Sequence, residues 1–256
     1  SRLEQWGNAQ VMSYVIGTSH KNILTPEQSA EKFRLLAGMK EYVAEQTQEK
    51  RARPQDDMVS FLTQVEYQAL GRKLTDDEIN GVVYAMVIGG LETTQYALAE
   101  QAQLLCDRPG MFAQLRADRA LIRTLIEEGM RLRSPTQGLS TRICARDEVF
   151  QGVEVPAGSM LHLRWAAANI DAGEFDDPLD LKLDRKAATR HLAFSQGPRS
   201  CPGSNISRLE QTIAWDRLCD AFADLAYAPG NDFRHQGGIM LGIYRLMLNL
   251  TPTETA

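Results

Sequence analysis

The sequence predicts a mainly α fold with a minor antiparallel sheet, and three observations carry that prediction. Apolar residues recur at helical spacing over the first half of the chain and again from Ser204 onward. Between these stretches, "TRICARDEVFQGVEVPAGSMLHLRW" alternates in polarity around a Gln-Gly turn, the pattern of a small antiparallel sheet. The chain has 256 residues, 43% hydrophobic and 24% charged, which is enough to bury a sizeable core.

The elements follow in order. Over residues 1–72, Phe33, Leu36, Met39 and Val43 recur at helical spacing, and "RARPQDD" interrupts before "MVSFLTQV" resumes, so helices joined by polar breaks are expected. Thr75 and Glu78 form a capping box and "DRPG" at 107–110 is a stop, which predicts one helix of about 30 residues spanning roughly 45 Å. Its middle, Val82 to Ile88, is nearly all apolar and then runs into "GGLETT". Residues 110–133 read as two further helices, the second halted at Ser134-Pro135. After the sheet, "EFDDPLDLKLDRKAATRHLAFSQGPRSCPG" is long and aperiodic, and loops of that length in compact domains tend to be functional. From Ser204, the residues Ile206, Leu209, Ile213, Leu218, Phe222 and Leu225 form a stripe expected to be buried, and the tail "GGIMLGIYRLMLNL" reads as a terminal hairpin. The whole is expected to be one domain over 1–256.

Charge and cysteine usage narrow the function. A formal net charge of −5 gives no global pull toward nucleic acid or anionic lipid, so neither is an expected partner. No apolar run reaches about 18 residues and "SRLEQWGNAQ" lacks a signal-peptide layout, so no membrane anchor is expected. Cys106, Cys144, Cys201 and Cys219 are scattered, which disfavours a disulfide framework and points to a reducing, cytoplasmic setting.

The chemistry concentrates in three stretches. Cys201 lies just before a helix, where amides and the helix dipole favour a thiolate. Taken alone it reads as a buried structural cysteine, a nucleophile or a single axial ligand to heme iron; no paired Cys or His spacing supports zinc. In "GGLETT", two glycines inside a helix cost about 1 kcal/mol each, and Glu92 and Thr93 interrupt an apolar core. Small residues there would admit a flat ligand, and a carboxylate beside a hydroxyl can pass protons; close helix packing is the competing explanation. Glu128 and Arg131 in "EEGMR" stand three apart, locally no more than a surface pair.

The order of these motifs resembles a cytochrome P450 of the soluble bacterial type: a long helix with G-G-x-E-T-T, a helix with E-x-x-R, a sheet, then F-x-x-G-x-R-x-C-x-G opening a last long helix. The resemblance implies a heme-thiolate monooxygenase that inserts one oxygen atom of O2 into a hydrophobic organic substrate. It implies heme b, iron protoporphyrin IX, as cofactor and a ferredoxin-type redox partner with its reductase as electron source. A non-catalytic or peroxide-using relative retaining the heme fold is the alternative; retention of Cys201, Glu92 and Thr93 together argues against it.

By the same resemblance, Cys201 would be the proximal iron ligand. Gly197 and Gly203 would allow the tight turn, and Phe194 would shield the sulfur. Arg199 and Arg142 would pair with the heme propionates, with His191 as a further candidate in that region. Glu92 and Thr93 match the acid–alcohol pair that passes protons to dioxygen. Ala85, Ile88, Gly89, Leu139, Ile239 and Met240 would face substrate. Glu128 and Arg131 would be structural. The chain departs from the family pattern at Ser195, where many members have glycine, and at Ala168-Asn169-Ile170-Asp171, where Ala-Asn-Arg-Asp is usual. The basic residue expected in the meander just after "DP" is not evident. The chain also starts where the family's F-type helix falls, so the N-terminal part of the fold is expected to be absent from it.

Overall fold

The computed structural model describes residues 2–12, 24–138, 141–186, 188–235 and 240–253. Contacts within the chain cluster into two compact units, 1–92 and 93–256.

The first unit is built from α1 (Arg2–Met12), α2 (Pro26–Ala52), α3 (Met58–Gln64), a short ladder of β1 (Glu66–Tyr67) and β2 (Arg72–Lys73), and α4 (Asp76–Leu91). Its helix starts are written in the sequence. Thr25 with Gln28 and Thr75 with Glu78 form reciprocal capping boxes, and Asp57 accepts from the Ser60 amide at 2.8 Å. Val43, Leu62, Leu74, Ile79 and Val83 close the core. Of the apolar positions read on α2, Met39 and Val43 are buried whereas Phe33 is exposed, its ring covered on one side by the Lys32 ammonium at 4.4 Å.

The predicted 30-residue helix is two helices. α4 ends at Leu91, Glu92 takes φ −122° and ψ −33°, and α5 (Thr93–Cys106) starts immediately after. Two adjacent glycines, Gly89 and Gly90, weaken the turn before the break. A Cβ placed at either meets nothing within 4 Å, so packing against the described residues does not require glycine there.

The second unit continues with α6 (Met111–Ala117) and α7 (Leu121–Leu132), then four short strands, β3 (Thr141–Ile143), β4 (Glu148–Phe150), β5 (Val153–Val155) and β6 (Met160–His162). β4 and β5 form the expected hairpin across Gln151 and Gly152, at φ 49° and 84°, and β3 pairs antiparallel with β6. After α8 (Trp165–Ala168) the chain is irregular until α9 (Ser204–Ala221), followed by β7 (Phe222–Tyr227), β8 (Asp232–His235), β9 (Ile243–Arg245) and β10 (Leu248–Pro252). The tail is not a hairpin closed on itself: β9 pairs back with β8, and β10 with β7. α5, α6, α7 and α9 pack around Leu104, Leu105, Phe112, Leu115, Leu125, Ile126 and Trp215.

The stripe predicted to be buried on α9 lies mostly outside. Ile206, Leu209 and Ile213 are 54%, 58% and 52% exposed, while the helix buries Gln211, Trp215 and Cys219 instead. Only at its end does the stripe turn inward, with Leu225 buried and Leu218 and Phe222 packed against the core.

Candidate functional site

Of the four cysteines, Cys201 alone is exposed. Burial pushes the Cys106 thiol up to about 11 and raises that of Cys219 as well, which keeps both protonated. Cys201 is therefore not the buried structural thiol that its sequence alone allows. Among the described residues no three His, Cys, Asp or Glu side chains gather into a metal-binding group, so Cys201 stands as a single donor.

A tight turn presents that thiol. The Cys201 amide donates to the Phe194 carbonyl at 2.8 Å, closing residues 194–201 into one loop. Inside it Ser195 donates its amide to Leu192 at 2.8 Å, and a 3-10 turn over Gly197–Arg199 is closed by Ser200 donating to Gly197 at 3.0 Å. Gly197 has φ 73°, where L side chains are strained, so glycine is required there. Ser195 takes φ 57° with a side chain attached, the one strained step of the loop. Gly203 does not share this role: it has φ −85°, and a Cβ there would sit in ordinary contact with the Cys201 sulfur at 3.9 Å. The turn is made by Gly197 and Ser195.

Behind the loop, Glu128 and Arg131 are not a surface pair, since both are 0% exposed. Arg131 donates to both carboxylate oxygens of Glu128 at 2.6 and 3.0 Å, and to the carbonyls of Asn169, Pro178 and Asp180 at 3.0, 2.5 and 3.0 Å. Its guanidinium also lies 5.0 Å over the Phe175 ring. Leu179 and Asp180 follow "DP", as read, and the cation that meets Glu128 in the meander is Arg185, whose Nε stands 2.8 Å from Glu128 Oε1, an ion-pair contact without hydrogen-bond alignment. Arg185 lies seven positions beyond Pro178. Asn169, despite the altered motif around it, donates to Ser134 Oγ at 3.0 Å and accepts from the Leu192 amide at 2.6 Å, tying the meander to the start of the cysteine loop.

His191 is not placed to meet a propionate. It is buried, its Nε2 lies 2.9 Å from Glu127 Oε2, and its Nδ1 accepts from the Ala193 amide at 3.1 Å, so both ring nitrogens are taken. Arg208 completes the cluster, donating to Glu127 at 2.6 and 3.0 Å. Burial raises the Glu127 pKa, but the bonds from His191 and Arg208 outweigh it and hold the carboxyl at about 2. Glu127 and Arg208 were missed in the sequence; the Glu-Glu doublet in "EEGMR" was the available sign that two faces of α7 carry acid.

A second buried network joins α5 to α9. Thr94 Oγ1 lies 3.0 Å from Ser207 Oγ, and Gln211 donates to Ser207 Oγ at 3.1 Å. Gln101 donates to Gln211 at 2.6 Å and accepts from Trp215 Nε1 at 2.6 Å. Gly129 makes room for it, because a Cβ there would stand 2.4 Å from Gln101 Cγ.

The remaining predicted residues fall into four groups. Arg142, on β3, and Arg199 are exposed; Arg142 bonds only the carbonyl of Thr141, at 3.1 Å, and neither forms an ion pair among the described residues. Ala85 and Gly89 are exposed and Ile88 half-buried on one face of α4, with Glu92 and Thr93 consecutive at the helix break. Met240 is buried, bridged to Thr136 and accepting from its hydroxyl through sulfur at 3.7 Å. Leu139 and Ile239 lie outside the described residues.

These features fit a planar iron-bearing group with carboxylate substituents. An accessible thiol suits the metal, and guanidinium groups that form no ion pair among the described residues suit the carboxylates. Fold and site thus define a helix-rich protein that offers one thiol at the head of a long helix, above a buried glutamate–arginine frame.

Comparison with known proteins gives that class its family. The family profile described as Cytochrome P450 matches residues 15–236. The chain is similar to the polyketide biosynthesis cytochrome P450 PksS of Bacillus subtilis (strain 168), 29% identical over 98% of this chain and 59% of the relative. It is also similar to the steroid C26-monooxygenase of Mycolicibacterium smegmatis (strain ATCC 700084 / mc(2)155), 33% identical over 75% of this chain and 47% of the relative. Among solved structures, CYP109E1 from Bacillus megaterium in complex with testosterone superposes with a TM-score of 0.82 at 28% identity, covering 96% of this chain and 63% of that one. The chain belongs to the cytochrome P450 family, and it spans about six-tenths of the length of PksS and CYP109E1.

Proposed function

We propose that this chain carries the thiolate-ligand region of a heme-dependent monooxygenase acting on a hydrophobic organic substrate. The observation that carries the reading is the single exposed cysteine, held in a loop closed by its own amide on Phe194. Cys201 would hold the iron of heme b, Arg199 and Arg142 would receive the propionates, and the Phe194 ring would back the sulfur. When bound, the heme supplies O2 activation: one oxygen atom enters the substrate, the other leaves as water, and electrons and protons are consumed in equal number.

The chain's own residues handle protons and substrate. Glu92 would take protons from solvent and Thr93 would pass them on through its hydroxyl, a pairing that favours O2 over peroxide as oxidant. Ala85, Ile88 and Gly89 offer a small, aliphatic face that suits an apolar molecule, in keeping with a relative named for a steroid. The electrons would come from a ferredoxin-type partner with its reductase, in the cytoplasm. Among the described residues no helix is long and apolar enough to cross a membrane.

The test is a reduced, carbon monoxide-bound difference spectrum of the protein supplied with heme. A thiolate-type Soret band that disappears in Cys201→Ala is expected. A spectrum without that band, or one unchanged by the substitution, overturns the assignment.

A further inference from the structure

The loop that presents Cys201 is anchored by a buried cluster that no step above uses. Glu127 on α7 is 3% exposed and His191, just ahead of the loop, 4%. The carboxylate receives Arg208 through both oxygens and faces His191 Nε2 at 2.9 Å. The other ring nitrogen, Nδ1, accepts from the Ala193 amide. An amide can only donate and a carboxylate at this pH can only accept, so the ring proton must sit on Nε2. One tautomer is thereby selected, and the imidazole becomes a rigid bridge from α7 to the loop backbone.

That bridge leads to the sulfur in few steps. Ala193 precedes Phe194, whose carbonyl receives the Cys201 amide. The Phe194 ring meets both partners of Glu127: the Arg208 guanidinium is 4.5 Å from its centroid and the His191 ring 5.9 Å. The residue that accepts from the ligand's own amide is thus met at its ring by Arg208 and His191, and the backbone just before it is held at the Ala193 amide.

We propose that His191, oriented by Glu127 and Arg208, is a positioning residue for the Cys201 thiolate, acting through the Ala193 amide and Phe194. The inference rests on the reading of Cys201 as a heme ligand only for its spectral consequence; the clamp on the loop stands or falls without heme.

Two substitutions divide the bridge. His191→Asn keeps an acceptor near the Nδ1 position and gives up the reach to Glu127, whereas His191→Gln keeps a donor toward Glu127 and gives up the acceptor for Ala193. Hydrogen exchange of the full chain, read on the peptide covering 191–203, measures the clamp directly. In His191→Gln the amides of Ala193 and Cys201 should exchange about three- to tenfold faster, the size expected for one lost bond, while α5 and α7 keep their protection. His191→Asn should recover part of the Ala193 protection. Arg208→Lys serves as the milder variant should either histidine variant unfold, since it loosens Phe194 and leaves the ring in place; it should speed the same peptide. In heme-loaded protein, His191→Gln should convert part of the thiolate-type band to the thiol-type band. Unchanged exchange at 191–203 in every folded variant, or acceleration spread evenly over α5 and α7, overturns the positioning role. Faster local exchange with no thiolate band even in wild type keeps the clamp and removes the heme reading.

Discussion

The two faces of α9 invert the usual rule for a helix. Its inward face buries the polar Gln211 beside Trp215 and Cys219, and satisfies Gln211 and the indole nitrogen of Trp215 through Gln101, Ser207 and Thr94. Its outward face leaves Ile206, Leu209 and Ile213 more than half exposed. The difference teaches that hydrophobicity alone does not choose the buried side of a helix: a polar group goes inside where each bond is met by a partner, and an aliphatic one stays outside where the described residues leave it more than half exposed.

The contrast can be broken by substitution, and the largest effect should fall on the inward face. Trp215→Ala removes a large buried ring and leaves Gln101 Oε1 without its donor, for an expected loss of about 3–5 kcal/mol in a denaturant titration. A loss below about 1 kcal/mol would show that the network adjusts freely.

Acid should come next. The Glu127 carboxyl, held to α9 by Arg208, has its pKa lowered from 4.5 to about 2 in the folded chain. A depressed folded value means the carboxylate stabilises the fold fully above the unfolded pKa and ceases to do so as pH falls from about 4.5 toward 2. Up to about 3 kcal/mol should be lost over that window, and Glu127→Gln should flatten this part of the pH–stability curve; a curve of identical slope in both proteins would separate Glu127 from acid sensitivity.

The smallest effect belongs to the outward face. Ile213→Thr should change stability by no more than about 0.5 kcal/mol, since more than half of the side chain is already in water. A loss comparable with that of Trp215→Ala would mean that Ile213 is covered in solution.

How much of this was legible in the sequence follows from what each feature depends on. The cysteine loop, the capping boxes, the helix stop at Ser134-Pro135 and the Gln-Gly hairpin are local: glycine, proline and cap chemistry specify them within a few residues. The heme-ligand reading of Cys201 and the structural roles of Glu128 and Arg131 came with those motifs. Three features were not legible because they depend on partners distant in sequence. The buried side of α9 is set by Gln101, over a hundred positions earlier, and Arg185 reaches Glu128 only because the meander folds back on α7. His191 is claimed by Glu127, 64 positions away, rather than by a ligand. The helix break at Glu92 sits between these cases, with its glycines visible in the sequence and the break itself not.

Gly129 carries a consequence for how this sequence can change over generations. With a Cβ at 129 only 2.4 Å from the Gln101 side chain, neither position can drift alone. A larger residue at 129 is tolerable only after 101 has shrunk, and shrinking 101 first strands Trp215 and Gln211. The two sites therefore form one heritable unit with strongly non-additive effects, and lineages are expected to exchange the glycine–glutamine pair together or to keep it.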